Sequence, residues 1–263
     1  MDTTKPKNYS QNRSFQHCAG LEALQQYMQW EEGETVLDAG CGTGETCKYI
    51  SQQPGVASVV GFDVSSDFIS YCNQRNSFPN ILYHVADVTD VSTFEPEWQG
   101  AFNKVVSFFV LHWVQDKVTA LKALHSCLKP RGEILMIFGS DKSNIVQTNS
   151  KMTAHPKWKI YLKDSVPNFP WPSSDRTNHR SRLLEECGFE VLSCSLVEHR
   201  QLVESEEKLM ETLRAVYPLM HCIPKDEHEE FLDDMKKMAR EAYLISGDDE
   251  ITEASTVVLA RKL

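Results

Sequence analysis

Thr35-Val-Leu-Asp-Ala-Gly-Cys-Gly-Thr-Gly44 decides the fold of this 263-residue chain. A β-rich apolar run meets three alternating glycines, Gly40, Gly42 and Gly44, just before a helical pattern begins at Glu45. Glycine removes the Cβ where a backbone bends sharply and comes close to a ligand. The unpaired N–H groups of the following helix start then face that ligand. The stretch therefore reads as a nucleotide-binding turn. A dinucleotide fingerprint, G-x-G-x-x-G, would carry its last glycine where Cys47 stands. Asp38 adds a carboxylate at the strand tip, which suits a cationic ligand group better than a pyrophosphate. The turn is built for a nucleoside that carries an ammonium.

Two further acids follow. Asp63 ends the run Val59-Val-Gly-Phe-Asp, and Asp87 closes Ile81-Leu-Tyr-His-Val-Ala-Asp. An acid about 20 residues beyond the glycines is placed to reach ribose hydroxyls. Each could equally cap the helix or turn after its strand. Three acids at three successive strand ends favour a ligand over three coincidental caps.

Around these motifs, strands and helices alternate as in a parallel sheet with right-handed crossovers. Strands are predicted at Thr35–Asp38, Ser58–Phe62, Ile81–Ala86, Lys104–Phe109, Ile134–Phe138, Glu190–Val197 and Thr256–Arg261. Helices are predicted at Glu45–Gln52, Ser66–Arg75, Lys117–Leu128 and Asn178–Cys187. Two segments exceed this plan. Asn144 to Asp175 has helix-like material around Trp158 to Lys163 and then the stiff loop Val166 to Asp175, a lid or a linker. Residues 204–246 carry two helical patterns broken by Pro218 and Pro224. Their stripes, Leu209, Leu213, Val216 and Tyr217, then Phe231, Met235, Met238 and Tyr243, either line a pocket for a greasy ligand or pack a core. Residues 1–203 and 247–263 form the core domain, and 204–246 a helical cap inserted before the last strand.

Composition narrows the partners. Hydrophobic residues make up 41% and charged residues 24%, as in ordinary globular chains. A formal charge of −10 disfavours nucleic acid, whose phosphates call for clustered Lys and Arg. The first twenty residues lack an apolar core of a leader, and no segment approaches the length of a membrane span. A cytoplasmic protein without membrane attachment is expected. Eight irregularly spaced cysteines, with no C-x-x-C pair, point to reduced thiols and no metal site. Nothing in the sequence sets the oligomeric state.

Val106-Ser-Phe-Phe-Val-Leu-His-Trp-Val-Gln-Asp116 follows the fourth strand to the face where a nucleoside and a second reactant would meet. His112 has an ordinary pKa near neutrality and could be a general base. Trp113 offers one N–H donor and a large apolar face. Either residue could also be merely structural.

The D-x-G-x-G-x-G motif with its downstream acids resembles the class I S-adenosylmethionine-dependent methyltransferases. Nearly the whole chain resembles the juvenile hormone acid O-methyltransferase family: the Tyr9 to Gln16 lead, VLDAGCGTG, SFFVLHWV, LKPRGEILMIF and the insertion before the last strand. The resemblance implies a Rossmann-like α/β fold, a seven-stranded, mostly parallel sheet with helices on both faces. It implies S-adenosylmethionine as donor, released as S-adenosylhomocysteine, held by Asp38, Gly40, Cys41, Gly42, Gly44, Asp63, Val64, Asp87, Val88 and Ser107. Asp87 would accept from the adenine amino group, with Val64 and Val88 beside the ring. It also implies a small hydrophobic carboxylic acid, farnesoid or fatty, held by Gln16 and Trp113, with His112 mainly positioning. Two departures stand out: the asparagine of the N-terminal motif is displaced to Asn12, and Arg131 replaces a glycine in the Lys129–Gly132 turn, which a type I turn would tolerate. The rivals are a methyltransferase of polar acids such as trans-aconitate, one of amines or phenols, a non-catalytic cofactor-binding module, and a dehydrogenase.

Overall fold

The computed structural model describes residues 5–140, 143–162, 176–202, 205, 211, 214, 217, 219–241 and 250–263. Its centre is a seven-stranded sheet in the order β3-β2-β1-β4-β5-β7-β6. These strands are β1 (Glu34–Ala39), β2 (Val56–Asp63), β3 (Ile81–Val85), β4 (Phe102–Phe108), β5 (Leu128–Gly139), β6 (Phe189–Leu202) and β7 (Glu250–Lys262). Strands β1 to β5 pair in parallel, while β7 runs antiparallel between β5 and β6. All seven predicted strands are present, most of them longer than predicted.

The central strand shows why the sequence folds this way. Leu37 and Ala39 enter one apolar core and Val36 the other, so β1 is buried on both faces and reads as a continuous apolar run. Strand order reverses at β1, between β2 and β4, and a crevice opens beyond the strand tips at such a switch point. Asp38 lies there, level with Gly61 of β2 and Val106 of β4.

The helices are α1 (Pro6–Asn12), α2 (Ser14–Tyr27), α3 (Glu45–Ser51), α4 (Ser66–Arg75), α5 (Lys117–Cys127), α6 (Asn144–Ala154), α7 (Lys159–Leu162), α8 (Arg176–Glu186) and α9 (His228–Glu241). Helices α1, α2 and α6 are additions to the sequence expectation. The loop Val166 to Asp175 lies outside the described residues, as do Leu209, Leu213, Val216 and Tyr243.

Tyr217, Phe231 and Met235 form a third core with Met152, Trp158 and Leu162 of the earlier segment. Two stretches far apart in sequence thus share one apolar interior. Trp158 ties them further, its indole N–H donating to Asp234 of α9 at 3.0 Å.

The Lys129–Gly132 turn corrects the expectation. Arg131 adopts φ 63, the left-handed conformation, not the type I geometry that would suit arginine. The cause is register: Leu128 pairs with Phe102 and Glu133 with Lys104, so β5 must absorb extra residues in a tight bulge after Pro130.

Candidate active site

A cavity of ≈ 660 Å³ opens at the tips of β1, β2, β3 and β4 and is roofed by α1 and α2. Gln16, Asp38, Gly40, Cys41, Gly42, Asp63, Val64, Asp87, Val88 and Trp113 all line it. Gly44, Ser107 and His112 do not.

The glycine turn explains part of this division. Gly40 has φ 79, and a Cβ there would lie 2.2 Å from Val110 Cγ2, so the missing side chain lets the loop after β4 close onto the turn. Gly44, at φ 86, begins α3 and faces the protein, where a Cβ would meet the Tyr83 hydroxyl at 2.8 Å. Cys47 fills the place of the dinucleotide pattern's last glycine, and the close approach is made from the other side. Gly61 of β2 has no Cβ where Cys47 Sγ would stand 2.7 Å from it. Ser107 is fully buried and its hydroxyl donates to the Ala39 carbonyl at 3.1 Å. It braces β1 against β4.

Asp38 is 2% exposed, and the Cys47 thiol donates to its Oδ2 at 3.1 Å. Burial pushes its pKa up to about 6, against the lowering effects of that thiol and of Arg13. A carboxylate held so far from water gains most from an ammonium. Asp63 accepts from the Gly42 N–H at 3.0 Å and the Ser65 N–H at 2.9 Å, tying the turn to the tip of β2. Helix α4 takes its cap from Ser65, whose hydroxyl accepts from Phe68 N–H. Asp87 Oδ1 accepts from the backbone and hydroxyl of Thr89, and the next short turn is capped by Asp90. The capping alternative therefore goes to neighbours of both acids. Val64 is 68% exposed on the cavity, an apolar face suited to a planar ring.

Sequence reasoning missed Tyr9 and Arg13. Arg13 is buried and lines the cavity, its Nη2 3.1 Å from Glu45 Oε2. Tyr9 stacks on Phe68, ring centroids 5.2 Å apart. A pattern of Tyr and Arg at i and i+4 before a nucleotide turn was the available signal.

The other end of the cavity is built by the segment after β4. Phe109 holds φ 60, a strained value for a bulky residue, and its N–H donates to the Ile137 carbonyl at 2.6 Å. That anchor turns Val110 and Trp113 into the cavity. Trp113 is 39% exposed there. Gln16 Oε1 is buried without a hydrogen-bond partner among the described residues. A half-turn of the carboxamide would instead present its NH₂ donors. His112 is buried behind Trp113, ring centroids 5.3 Å apart, and its Nδ1 accepts from Gly139 N–H at 3.4 Å. Burial, then the nearby Lys117, push its pKa down to about 3. The ring is neutral at physiological pH and is a weak base.

Among the described residues no cluster of three or more His, Cys, Asp or Glu could hold a metal ion. None of the described helices is long and apolar enough to cross a membrane.

A family model described as a methyltransferase domain matches residues 36–132. The juvenile hormone acid O-methyltransferase of Drosophila melanogaster is 27% identical over 237 residues, 87% of this chain and 79% of that protein. The enzyme of the same name from Bombyx mori is 25% identical over 246 residues, 90% of this chain and 86% of its own. A candidate methyltransferase from Bacillus halodurans C-125 shares the fold with a TM-score of 0.64 at 19% identity, covering 93% of this chain and 99% of that one. Phosphoethanolamine N-methyltransferase 2 of Haemonchus contortus, solved with S-adenosyl-L-methionine, superposes with a TM-score of 0.59 at 17% identity, covering 93% of this chain and 52% of that one. The acidic, glycine-floored cavity fits that donor: a buried carboxylate for an ammonium, and an exposed valine for a ring.

Proposed function

We propose that the chain, an S-adenosylmethionine-dependent methyltransferase similar along most of its length to the juvenile hormone acid O-methyltransferases, esterifies a small hydrophobic carboxylic acid of farnesoid or fatty type. One observation carries the choice of acceptor. The half-exposed Trp113 and Gln16, whose carboxamide oxygen is buried without a partner among the described residues, share the cavity, while His112 is withdrawn behind the indole and neutral. A phenol or a protonated amine needs a base to become a nucleophile, and a carboxylic acid does not.

When bound, S-adenosylmethionine supplies an electrophilic methyl group on a sulfonium. Asp38 would take its ammonium, Asp63 the ribose hydroxyls, and Asp87 with Val64 and Val88 the adenine. Gly40, Cys41 and Gly42 form the floor. Gly44 and Ser107 serve by shaping the turn and the strand pair.

At the acceptor end, Gln16 and the Trp113 indole N–H orient the substrate carboxylate by hydrogen bonds without neutralising it. The negative oxygen stays a good nucleophile and needs only alignment with the methyl carbon. Opposite charges drawn together in an apolar pocket favour the charge-dispersed transition state. Arg13, ion-paired with Glu45 over the glycine turn, is the one cation among the described lining residues, and the stretch Phe108 to Asp116 contributes none, which disfavours a polyanionic acid such as trans-aconitate.

The acid's apolar tail would extend toward the helical cap read from the sequence at residues 204–246, whose described residues pack a core of their own and do not line the cavity. Eight free thiols suit the reducing cytoplasm as its compartment. The test is methyl transfer from labelled S-adenosylmethionine to farnesoic acid, juvenile hormone acid, medium-chain fatty acids and trans-aconitate, with the products identified. Methyl esters of the apolar acids are expected. Turnover of trans-aconitate alone would overturn the reading.

A further inference from the structure

We propose that Cys47 is a positioning residue for the donor: its buried thiol holds one oxygen of Asp38, leaves the other for the ammonium, and sets the pH at which the site becomes competent. The inference rests on Asp38 as the partner of the ammonium and is independent of the acceptor.

Cys47 stands where the dinucleotide pattern carries a glycine, so its side chain is an addition that the nucleotide turn alone does not call for. Helix α3 buries it completely. Space for it is made by Gly61 of β2, where a Cβ would lie 2.7 Å from Cys47 Sγ. Gly61 is level with Asp38 in the sheet, so the vacancy opens beside the carboxylate. From there Sγ donates to Asp38 Oδ2 at 3.1 Å. Among the described residues this is the one hydrogen bond that the carboxylate accepts, and Oδ1 is left for a ligand. The neighbouring thiols complete the floor. Cys41 lies within hydrogen-bonding reach of both Cys47 and Cys72, and Cys72 donates to the Gly42 carbonyl at 3.2 Å.

The chemistry suits the task. Burial first, and then the charge of Asp38, push the Cys47 thiol up to about 12 against the lowering effect of Cys41, so it stays protonated and remains a donor. A donor aimed at a carboxylate favours its ionised form. The other charged groups facing Asp38 are divided: Arg13 also favours ionisation, while Asp63 and Glu45 oppose it, as burial does. A thiol is a weak donor. It therefore fixes the direction of the carboxylate while leaving most of the negative charge for the ammonium.

Calorimetry with S-adenosylhomocysteine across pH, on the wild type, Cys47→Ala and Cys47→Ser, tests this. Cys47→Ala should weaken binding at neutral pH about 3- to 10-fold and move the midpoint of the pH dependence upward by about 0.5 to 1 on the pH scale. Cys47→Ser restores a donor and should bring the midpoint back to that of the wild type or below it. A Cys47→Ala profile with the wild-type midpoint, whatever its affinity, would overturn the proposal, because loosened packing alone weakens binding equally at every pH. If Cys47→Ala does not fold, infrared spectra of the wild type and Cys47→Ser carry the test. An S–H band should move to lower frequency as Asp38 ionises between about pH 5 and pH 7 and be missing from Cys47→Ser. A wild type in which no S–H band follows that ionisation would overturn the proposal. A wild type that binds no S-adenosylhomocysteine at any pH would instead overturn the donor assignment, and the proposal with it.

Discussion

Asp38 works against its own environment. Burial raises its pKa to about 6, so ionising it costs the ligand-free protein free energy. The folded pKa lies above the ordinary carboxyl value of 3.8, so this group removes stability as pH rises through that interval and restores it as pH falls. An ammonium placed beside it reverses the balance by favouring the ionised form. Affinity for S-adenosylhomocysteine should therefore climb between about pH 5 and pH 7 and level off above, with protons released on binding within that window. Asp38→Asn should flatten the dependence and weaken binding at neutral pH by about 10-fold or more. Calorimetry across pH checks both, and a flat wild-type profile would count against Asp38 as the ammonium partner. Arg131 shows the opposite case, a residue strained with no ligand in view. It is exposed, at φ 63, on the bulge of β5. Arg131→Gly should gain roughly 0.5–1 kcal/mol in thermal unfolding, since left-handed backbone costs a side-chain-bearing residue about 1–2 kcal/mol and glycine returns part of that as unfolded-state entropy. A lower Tm would mean that the arginine side chain contributes more than its backbone costs.

At the scale of elements, the loop after β4 and the turn after β1 are one construction. Gly40 exists so that Val110 can occupy the space of a side chain. Gly40→Ala should cost about 2 kcal/mol or more of stability and about 10-fold or more in S-adenosylhomocysteine affinity, because the methyl group collides and the positive φ remains. Adding Val110→Ala should rescue the collision and leave the strain, which denaturation and calorimetry of the double variant would show. A fully rescued double variant would assign the whole effect to sterics. The sheet and its parallel crossovers were legible in the sequence because β1, β4 and β5 are continuous apolar runs separated by amphipathic helices. Helix α2 was not, because Ala19, Gly20 and Ala23 are among its buried residues and small side chains leave a faint stripe. Asp38, Asp63 and Asp87 were legible by their place at strand ends. Arg13 was not, because its meaning comes from Gly42 and Glu45, which only folding brings beneath it. Phe231 and Met235 could have been pocket or core by pattern, and their burial with Trp158 assigns these two to core.

The whole molecule places two chemistries at one crevice: an acidic, glycine-floored half and an aromatic half, both supported by strand tips of a doubly covered sheet. The third core lies apart from the two that cover the sheet. The sheet fixes the glycine-floored half, and the aromatic half depends on a short strained segment anchored to β5. The central claim is that a carboxylate already ionised accepts the methyl group and that no side chain removes a proton. The most direct measurement is kcat against pH at saturating donor and farnesoic acid, for the wild type and for His112→Ala. The account predicts a flat profile from about pH 6.5 to 9 in both, with the variant slower by no more than about tenfold through looser support of Trp113. A wild-type rate that rises with pH to a plateau, with turnover abolished in His112→Ala, would contradict it and make His112 the base.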